Sequence, residues 1–164
     1  MKLNKKVADA LNQQINSELN ASYEYLAMAA YFESVDLPGF AKWFRAHSVE
    51  ETGHAMRIFD FVNQRGGRVE LTAIEQPRVD YKNAEDVMET ALAMEGIVTG
   101  QIHALFEIAT AEKEYGTQNM LQWFLEEQVE EEDLFSSTLA QVKAADNKPW
   151  HLLMLDKQLG QRED

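Results

Sequence analysis

The feature that most constrains the fold of this chain is a set of four long stretches in which apolar residues recur at alternating spacings of three and four. Only three prolines and eight glycines occur in 164 residues, so there are few places where a helix must end. The spacing puts the apolar residues on one side of an α-helix, where they can pack against other helices. It predicts helices at about 5–34, 38–65, 84–113, 117–145 and 149–160.

Local signals mark where these helices begin and end. Pro38 stands where a second helix would start, since proline is favoured in the first turn. The glycine pair at 66–67 ends that helix. Asn83 and Asp86 resemble a capping box in which Asp replaces the usual Glu. The remaining predicted breaks are at 116–117 and 147–149.

The lengths of the connections predict the architecture. Short links join the first helix to the second and the third to the fourth, so each pair is expected to be antiparallel. Fully extended, the link at 66–82 can span about 55 Å, whereas a 28-residue helix is about 42 Å long. The chain is therefore predicted to be one all-α domain, 1–164, comprising a four-helix bundle with one long crossover at 5–145 and a short terminal helix at 149–160.

Composition limits the kinds of partner and compartment. There are 28 acidic and 15 basic residues, a net charge of −13, so nucleic acids and anionic membranes are poor partners and small cations are better ones. The absence of cysteine excludes disulfides and thiolate metal sites. No segment has the apolar length of a secretory signal or a membrane span, which leads us to expect a cytoplasmic protein.

Each apolar stripe carries one carboxylate near its middle. These are Glu18, Glu51, Glu95 and Glu131, which lie 11 to 14 residues into their predicted helices and so would meet in one layer of an antiparallel bundle. No Lys or Arg lies on the four stripes. Because an unpaired buried carboxylate costs several kcal/mol, the four must be protonated or must hold cations.

A histidine favours cations over protons. Glu51 and His54 are three residues apart, which places a carboxylate and an imidazole on one face of a helix. Oxygen ligands with a single imidazole suit iron or manganese, whereas structural zinc sites are tetrahedral and rich in Cys and His. Two divalent ions would balance four glutamates, so a dinuclear carboxylate site is predicted.

The acidic segment FLEEQVEEEDLF at 124–135 has two possible explanations. Charged runs on helices are usually solvated faces. However, Glu127 and Glu130 lie on the stripe next to Glu131, Glu50 has the same relation to Glu51, and no basic residue interrupts 126–133. We therefore expect a third cation site at Glu50, Glu127 and Glu130. The acids left as a solvated face are Glu126, Glu132 and Asp133.

The chain resembles the bacterial non-haem ferritins over essentially its whole length. The motifs that carry the resemblance are NSELNASYEY at 16–25, HSVEETGHA at 47–55, Glu95, QWFLEEQVEEE at 122–132 and the short terminal helix. The resemblance implies one iron site of Glu18, Glu51 and His54, with Glu51 bridging. It implies a second site of Glu95 and Glu131 with Gln128 close by. The third iron site would share Glu131 with the second.

By the same resemblance we expect oxidation of Fe(II) by dioxygen or hydrogen peroxide, and storage of ferric mineral in a homo-oligomeric cage of 24 subunits. Haem is not expected, since Glu131 and Thr52 stand where bacterioferritins have a His ligand and the haem-binding Met. Gln118 and Leu121 replace the acids that line the threefold channel of animal ferritins, so that acidic iron route is in doubt. The alternatives are a diiron oxidase or peroxidase without storage, and a shell subunit without a working site.

Several aromatic residues and histidines have two interpretations. Tyr25 is either a core residue or a redox or hydrogen-bonding partner of the iron, and Trp123 either packs at a helix junction or donates electrons. For His47 a core position is favoured over contact with the metal ligands. His103 and His151 are expected at a surface or an interface. The apolar terminal helix is too short to be stable alone and must dock on the bundle or on other subunits.

Overall fold

The computed structural model describes residues 3–161 and consists of α-helices joined by loops. The helices are α1 (Lys5–Ser34), α2 (Pro38–Gln64), α3 (Ala84–Ala111), α4 (Tyr115–Ala145) and α5 (Pro149–Leu159). No strand occurs within 3–161, so the all-α prediction is confirmed. None of these helices combines the length and the apolarity needed to cross a bilayer. The predicted single domain 1–164 includes 1–2 and 162–164, which lie outside the described residues.

The break between α3 and α4 lies earlier than the sequence predicted. Lys113, not Gly116, has the left-handed backbone that ends the helix, with φ of 55°. The Glu114 N–H then bonds back to the Ala109 carbonyl oxygen at 2.9 Å, as in a Schellman-type helix end. Gly116 lies inside α4, where a Cβ would come within 2.5 Å of Arg65 Nη1. The absence of a Cβ at Gly116 therefore allows the Arg65 side chain to approach the α4 backbone closely. The prediction that Gly116 separates two helices was wrong.

The 66–82 crossover runs along α1, as its length allowed. Asn12 binds it at two points: Nδ2 donates to the Arg68 carbonyl at 3.0 Å, and Oδ1 accepts from the Glu70 N–H at 2.9 Å. Asn20 accepts from the Glu75 N–H at 3.2 Å. Side-chain amides of α1 thus satisfy backbone groups of a segment that has no regular structure of its own.

The capping box predicted before α3 is present only in part. Asn83 Oδ1 accepts a hydrogen bond from the Asp86 N–H at 2.9 Å, as an N-cap residue should. Asp86 does not return the bond to Asn83. Its carboxylate accepts from the Lys82 N–H at 2.9 Å and from Arg78 at 2.6 Å. The shorter Asp side chain ties the end of the crossover to the first turn of α3.

The core has two apolar clusters with a polar layer between them. One cluster, which α5 joins through Leu155, contains Phe44 and Phe135 among others. The second, at the opposite end of the bundle, includes Ile58 and Phe124. On each of α1 to α4, the predicted central carboxylate falls between the residues of one cluster and those of the other. The fold therefore places four carboxylates in the middle of the bundle.

Candidate metal centre

The four central carboxylates are buried. The exposed fractions of Glu18, Glu51, Glu95 and Glu131 are 0%, 2%, 1% and 5%. No Lys or Arg belongs to the buried residues between 3 and 161. Burying several carboxylates without a basic partner is unfavourable unless they take up protons or bind cations.

One group of potential ligands joins α1 to α2. Ligand atoms of Glu18, Glu51 and His54 all lie within 4.8 Å of one another. His54 Nδ1 is 3.2 Å from Glu51 Oε2. The Gln14 amide donates to Glu18 Oε1 at 2.9 Å. Glu18 Oε2 is buried and has no hydrogen-bond partner among the described residues. The group thus has an oxygen in position to accept a cation.

A second group differs from the expected one. It brings together His47, Glu50 and Glu131, again with ligand atoms within 4.8 Å. His47 Nδ1 lies 3.1 Å from Glu50 Oε2 and 3.6 Å from Glu131 Oε2. From its sequence position, His47 is expected in the core and not in contact with the metal ligands. Its ring is fully buried against aromatic side chains such as Trp43, yet one nitrogen faces two carboxylates. In the sequence, the signal for this group is the spacing of three between His47 and Glu50.

Glu95 belongs to neither group and is held by hydrogen bonds. Tyr25 donates to one of its carboxylate oxygens, and Gln128 Nε2 donates to the other at 3.1 Å. Gln128 Nε2 also lies 3.1 Å from Thr99 Oγ1, and that hydroxyl donates to Glu132 Oε1 at 2.5 Å. Sequence reasoning missed Thr99 and left Glu132 as a solvated acid. Neither residue lies on an apolar stripe, which is the pattern that identified the four central carboxylates.

Burial and mutual repulsion raise the pKa of the central carboxylates. Burial is the larger cause for Glu18 and Glu51, whose pKa values lie well above the usual range, and repulsion from the adjacent carboxylates adds to it. Burial, then the charges of Glu95 and Glu50, raise the pKa of Glu131 to about 8. Burial raises the pKa of Glu95 as well, although the hydrogen bond from Tyr25 opposes the rise. The raised pKa values favour protonation of these groups, and a bound metal would compete with the protons.

The residues expected to form a third site are only partly together. Glu127 Oε1 is 3.9 Å from His54 Nε2, and its side chain is 27% exposed. Glu130 is exposed, while Glu50 lies in the second group. Within residues 3–161, Glu50, Glu127 and Glu130 do not form one cluster at ligand distance.

The remaining residues with two interpretations lie at different distances from the centre. The Trp123 ring is 5.3 Å from the His54 ring, and Arg57 Cζ lies 4.2 Å from the Trp123 ring centroid. Trp123 thus touches a candidate ligand instead of packing only at a helix junction. His103 and His151 are exposed.

The donor set contains carboxylate oxygens and one imidazole in each group, on elements that are fixed by the apolar clusters at both ends. Hard oxygen ligands with few nitrogens suit Fe(II) or Mn(II). Two adjacent groups in one bundle can hold two such ions. Glu51 belongs to the first group, and the charges of Glu131 and Glu50 from the second group also act on it. It therefore lies between the two groups.

Known ferritins are similar to this chain in sequence over nearly its whole length. Residues 8–145 match the family model described as a ferritin-like domain. The chain is 36% identical over 160 residues to a bacterial non-heme ferritin of Staphylococcus aureus, covering 98% of this chain and 96% of that relative. A bacterial non-heme ferritin of Staphylococcus saprophyticus gives the same identity and coverage.

Solved structures agree. An open pore ferritin from the hyperthermophilic archaeon Archaeoglobus fulgidus is 42% identical, with a TM-score of 0.97 over 99% of this chain and 100% of that one. A structure described as a humanized archaeal ferritin is 40% identical, with a TM-score of 0.98 over 99% of this chain and 100% of the other. As its sequence motifs predicted, the chain belongs to the ferritin family.

Proposed function

We propose that this protein oxidises Fe(II) at the buried centre and stores the ferric product inside a cage of 24 identical subunits in the cytoplasm. The observation that carries the proposal is the layer of four carboxylates buried in the bundle core, with His54 beside Glu51 and without a basic counter-charge. The relatives named as ferritins support iron as the metal. The name "non-heme" of the Staphylococcus relatives agrees with Glu131 and Thr52 at the positions that argue against haem.

In this proposal Fe(II) is the substrate. Glu18, Glu51 and His54 bind one ion, and Glu51 bridges to a second ion that is bound by Glu95 and Glu131 with Gln128 close by. Each Fe(II) gives up one electron. A dioxygen that receives two electrons and two protons becomes hydrogen peroxide, which can oxidise two further Fe(II) and give water.

The protein's part in this reaction is to position ligands and release protons. The carboxylates with raised pKa lose their protons when Fe(II) binds, so binding is favoured at higher pH. Tyr25 donates to Glu95 and is fully buried, which suits it to orient that ligand and to give an electron or a proton at the centre.

Replacing the bridging ligand tests the proposal. Glu51→Ala should abolish the rapid phase of Fe(II) oxidation, followed by stopped-flow absorbance after mixing with aerobic buffer. Glu126→Ala removes an exposed acid from α4 and serves as the matched control, which should keep the rapid phase. Circular dichroism should show both variants folded, since the loss of one buried carboxylate relieves repulsion. A Glu51→Ala protein with the rapid phase of the wild type would contradict the proposal.

We also propose a third, weaker iron site at Glu50, Glu127 and Glu130, next to Glu131. It is more exposed than the other two, and its side chains would have to move together around an ion. The triple change to Ala should leave the dinuclear site intact and alter the number of Fe(II) oxidised per dioxygen. Anomalous scattering from crystals soaked in Fe(II) gives the direct test. Two fully occupied peaks, without a third near Glu127 and Glu130, would leave these acids as a solvated face.

A further inference from the structure

A cavity of about 200 Å³ lies between α1 and α3, beside the candidate metal centre. Its polar lining consists of Gln13, Gln14 and Ser17 from α1 and Gln101 from α3, and Ala104 lies on its α3 wall. Ser17 and Gln101 also line a neighbouring cavity of about 330 Å³ that reaches Arg78 on the crossover. We call the smaller cavity the α1–α3 inlet.

The inner end of the inlet touches the metal centre through one side chain. Gln14 lines the inlet, is only 3% exposed, and donates to Glu18 Oε1 at 2.9 Å. A buried amide without hydrogen bonds would cost several kcal/mol. The Gln14 amide lies between the cavity and Glu18, a carboxylate that the proposed function assigns to iron.

An unpaired polar atom at the inlet indicates that it contains water. Gln101 Oε1 is buried and has no hydrogen-bond partner among residues 3–161. Buried acceptors of this kind are normally satisfied by ordered water. A cavity of this volume has room for several waters.

The inlet has no charged lining. Its other walls are formed by alanine, leucine and isoleucine side chains, so all the residues that line it are uncharged. An ion that entered would lose hydration without gaining a counter-charge, whereas a neutral molecule with donors and acceptors could replace the waters one for one. The acids of the proposed third site, Glu50, Glu127 and Glu130, lie instead on α2 and α4.

We propose that the α1–α3 inlet is a passage for small neutral hydrogen-bonding molecules, namely water and hydrogen peroxide, between solvent and the Glu18 side of the centre. Gln14 and Gln101 provide the hydrogen bonds along the passage. The inference rests on the proposed function, since hydrogen peroxide is relevant only if the centre oxidises Fe(II). It places the route of the oxidant between α1 and α3, away from the acids of the proposed third site on α2 and α4.

Filling the inlet without touching a ligand tests this inference. Ala104 is exposed and lines the inlet, so Ala104→Phe should block it, whereas Ala93→Phe puts the same ring on an exposed α3 position outside it. Each protein is loaded with Fe(II) without oxygen, the bound Fe(II) is measured, and hydrogen peroxide is then mixed in. The reaction followed is 2 Fe(II) + H2O2 + 2 H⁺ → 2 Fe(III) + 2 H2O.

Ala104→Phe should bind Fe(II) as the wild type does and react with peroxide several-fold more slowly, while Ala93→Phe reacts at the wild-type rate. Crystals of the metal-free proteins give a readout that does not depend on activity. Ordered water should bridge Gln14 and Gln101 in the wild type and be absent from Ala104→Phe. A wild type that binds or oxidises no Fe(II) would refute the proposed function. An active wild type with an equally fast Ala104→Phe, or a dry inlet in wild-type crystals, would refute the passage.

Discussion

The direction in which the Gln128 amide points is set by residues outside the metal centre. Glu132 is a carboxylate and can only accept, so the single proton of the Thr99 hydroxyl points to it. Thr99 Oγ1 then has only lone pairs to offer to Gln128. The amide must therefore turn its nitrogen towards Thr99 and Glu95, which leaves its oxygen to face elsewhere.

Thr99→Val tests this chain of hydrogen bonds. Valine keeps the shape but has no acceptor for the Gln128 N–H, so the amide can turn and Glu95 loses its fixed orientation. We expect the rate of Fe(II) oxidation at saturating Fe(II) to fall on the order of tenfold, as for other residues that orient metal ligands. Thr99→Ser restores the hydroxyl and should recover most of the rate. Equal stopped-flow rates for Val and Ser would show that the hydroxyl has no such role.

The raised pKa of the central carboxylates predicts how the metal-free protein responds to pH. A carboxyl with a folded pKa above its unfolded value holds a proton in the native state that the unfolded chain has lost. Its contribution to stability is thus complete below the unfolded pKa, near 4.5, and is lost as the pH rises through the folded pKa, about 8 for Glu131.

Urea unfolding in the presence of a chelator should therefore give a smaller free energy of unfolding at pH 8.5 than at pH 5.5. Glu131→Gln cannot ionise at this position, so its stability should fall less over the same range. A Glu131→Gln protein that loses as much stability as the wild type would mean that the pH dependence comes from other groups, such as Glu18 and Glu51, and not from Glu131.

Sequence patterns identified the carboxylates on the apolar stripes better than they identified the residues around them. Glu18, Glu51, Glu95 and Glu131 stood out because each interrupts an apolar stripe, and the structure buries all four. The partners that orient them include Gln14 and Thr99, which are polar residues next to an apolar stripe. Such residues are common on exposed helix faces, so no one-dimensional pattern distinguishes those that turn inward.

At the scale of the elements, α5 completes the start of α2. The N-terminus of α2 has no side-chain cap of its own at Leu37. Asp156 of α5 takes that role: it is buried, and its Oδ1 accepts from the Phe40 N–H at 2.9 Å. Gly39 permits the contact, because a Cβ there would lie 1.8 Å from the Asp156 carbonyl oxygen. A negative charge at a helix N-terminus is also favourable to the helix dipole.

Asp156→Ala should lower the free energy of unfolding by about 1 kcal/mol, the usual cost of removing an N-cap side chain. Asp156→Asn keeps an acceptor oxygen and should lose less. Asp60→Ala, an exposed change in α2, is the control for loss of charge. Urea unfolding at one pH measures all three, and an Asp156→Ala protein as stable as Asp60→Ala would show that the contact contributes nothing.

The ends of the helices were predicted well where the signal was local. Pro38 and Pro149 begin α2 and α5, as their fixed backbone angle favours. The prediction at Gly116 was wrong because a glycine can either end a helix or allow another part of the chain to pack closely against it. Here it allows the Arg65 side chain to pack against α4. The docking of α5 on α2 could not be read from the sequence, since Asp156 and Phe40 are brought together only by the folded bundle.

At the scale of the whole molecule, the single chain leaves large apolar side chains in contact with solvent. On the crossover, Leu71 is 62% exposed and Val79 59%, and on α5 Trp150 is 71% and Leu153 50% exposed. Apolar side chains grouped in this way on a small protein usually mark contacts with other chains. The two groups lie on different elements, which is what a closed assembly with more than one kind of contact requires.

Light scattering on the metal-free protein should therefore give a particle many times the mass of the 18.7 kDa chain. Leu71→Asp and Leu153→Asp each place a charge in one of the two apolar groups, so each should reduce the particle mass. Val129→Asp is the matched control, because Val129 is 71% exposed on α4 and lies next to Glu130, on the face expected to line the cavity of the cage. The particle formed by this variant should have the same mass as that of the wild type. A wild type that runs as a monomer or simple dimer would remove the closed shell that storage needs. The buried centre would then belong to a diiron oxidase or peroxidase that releases its product.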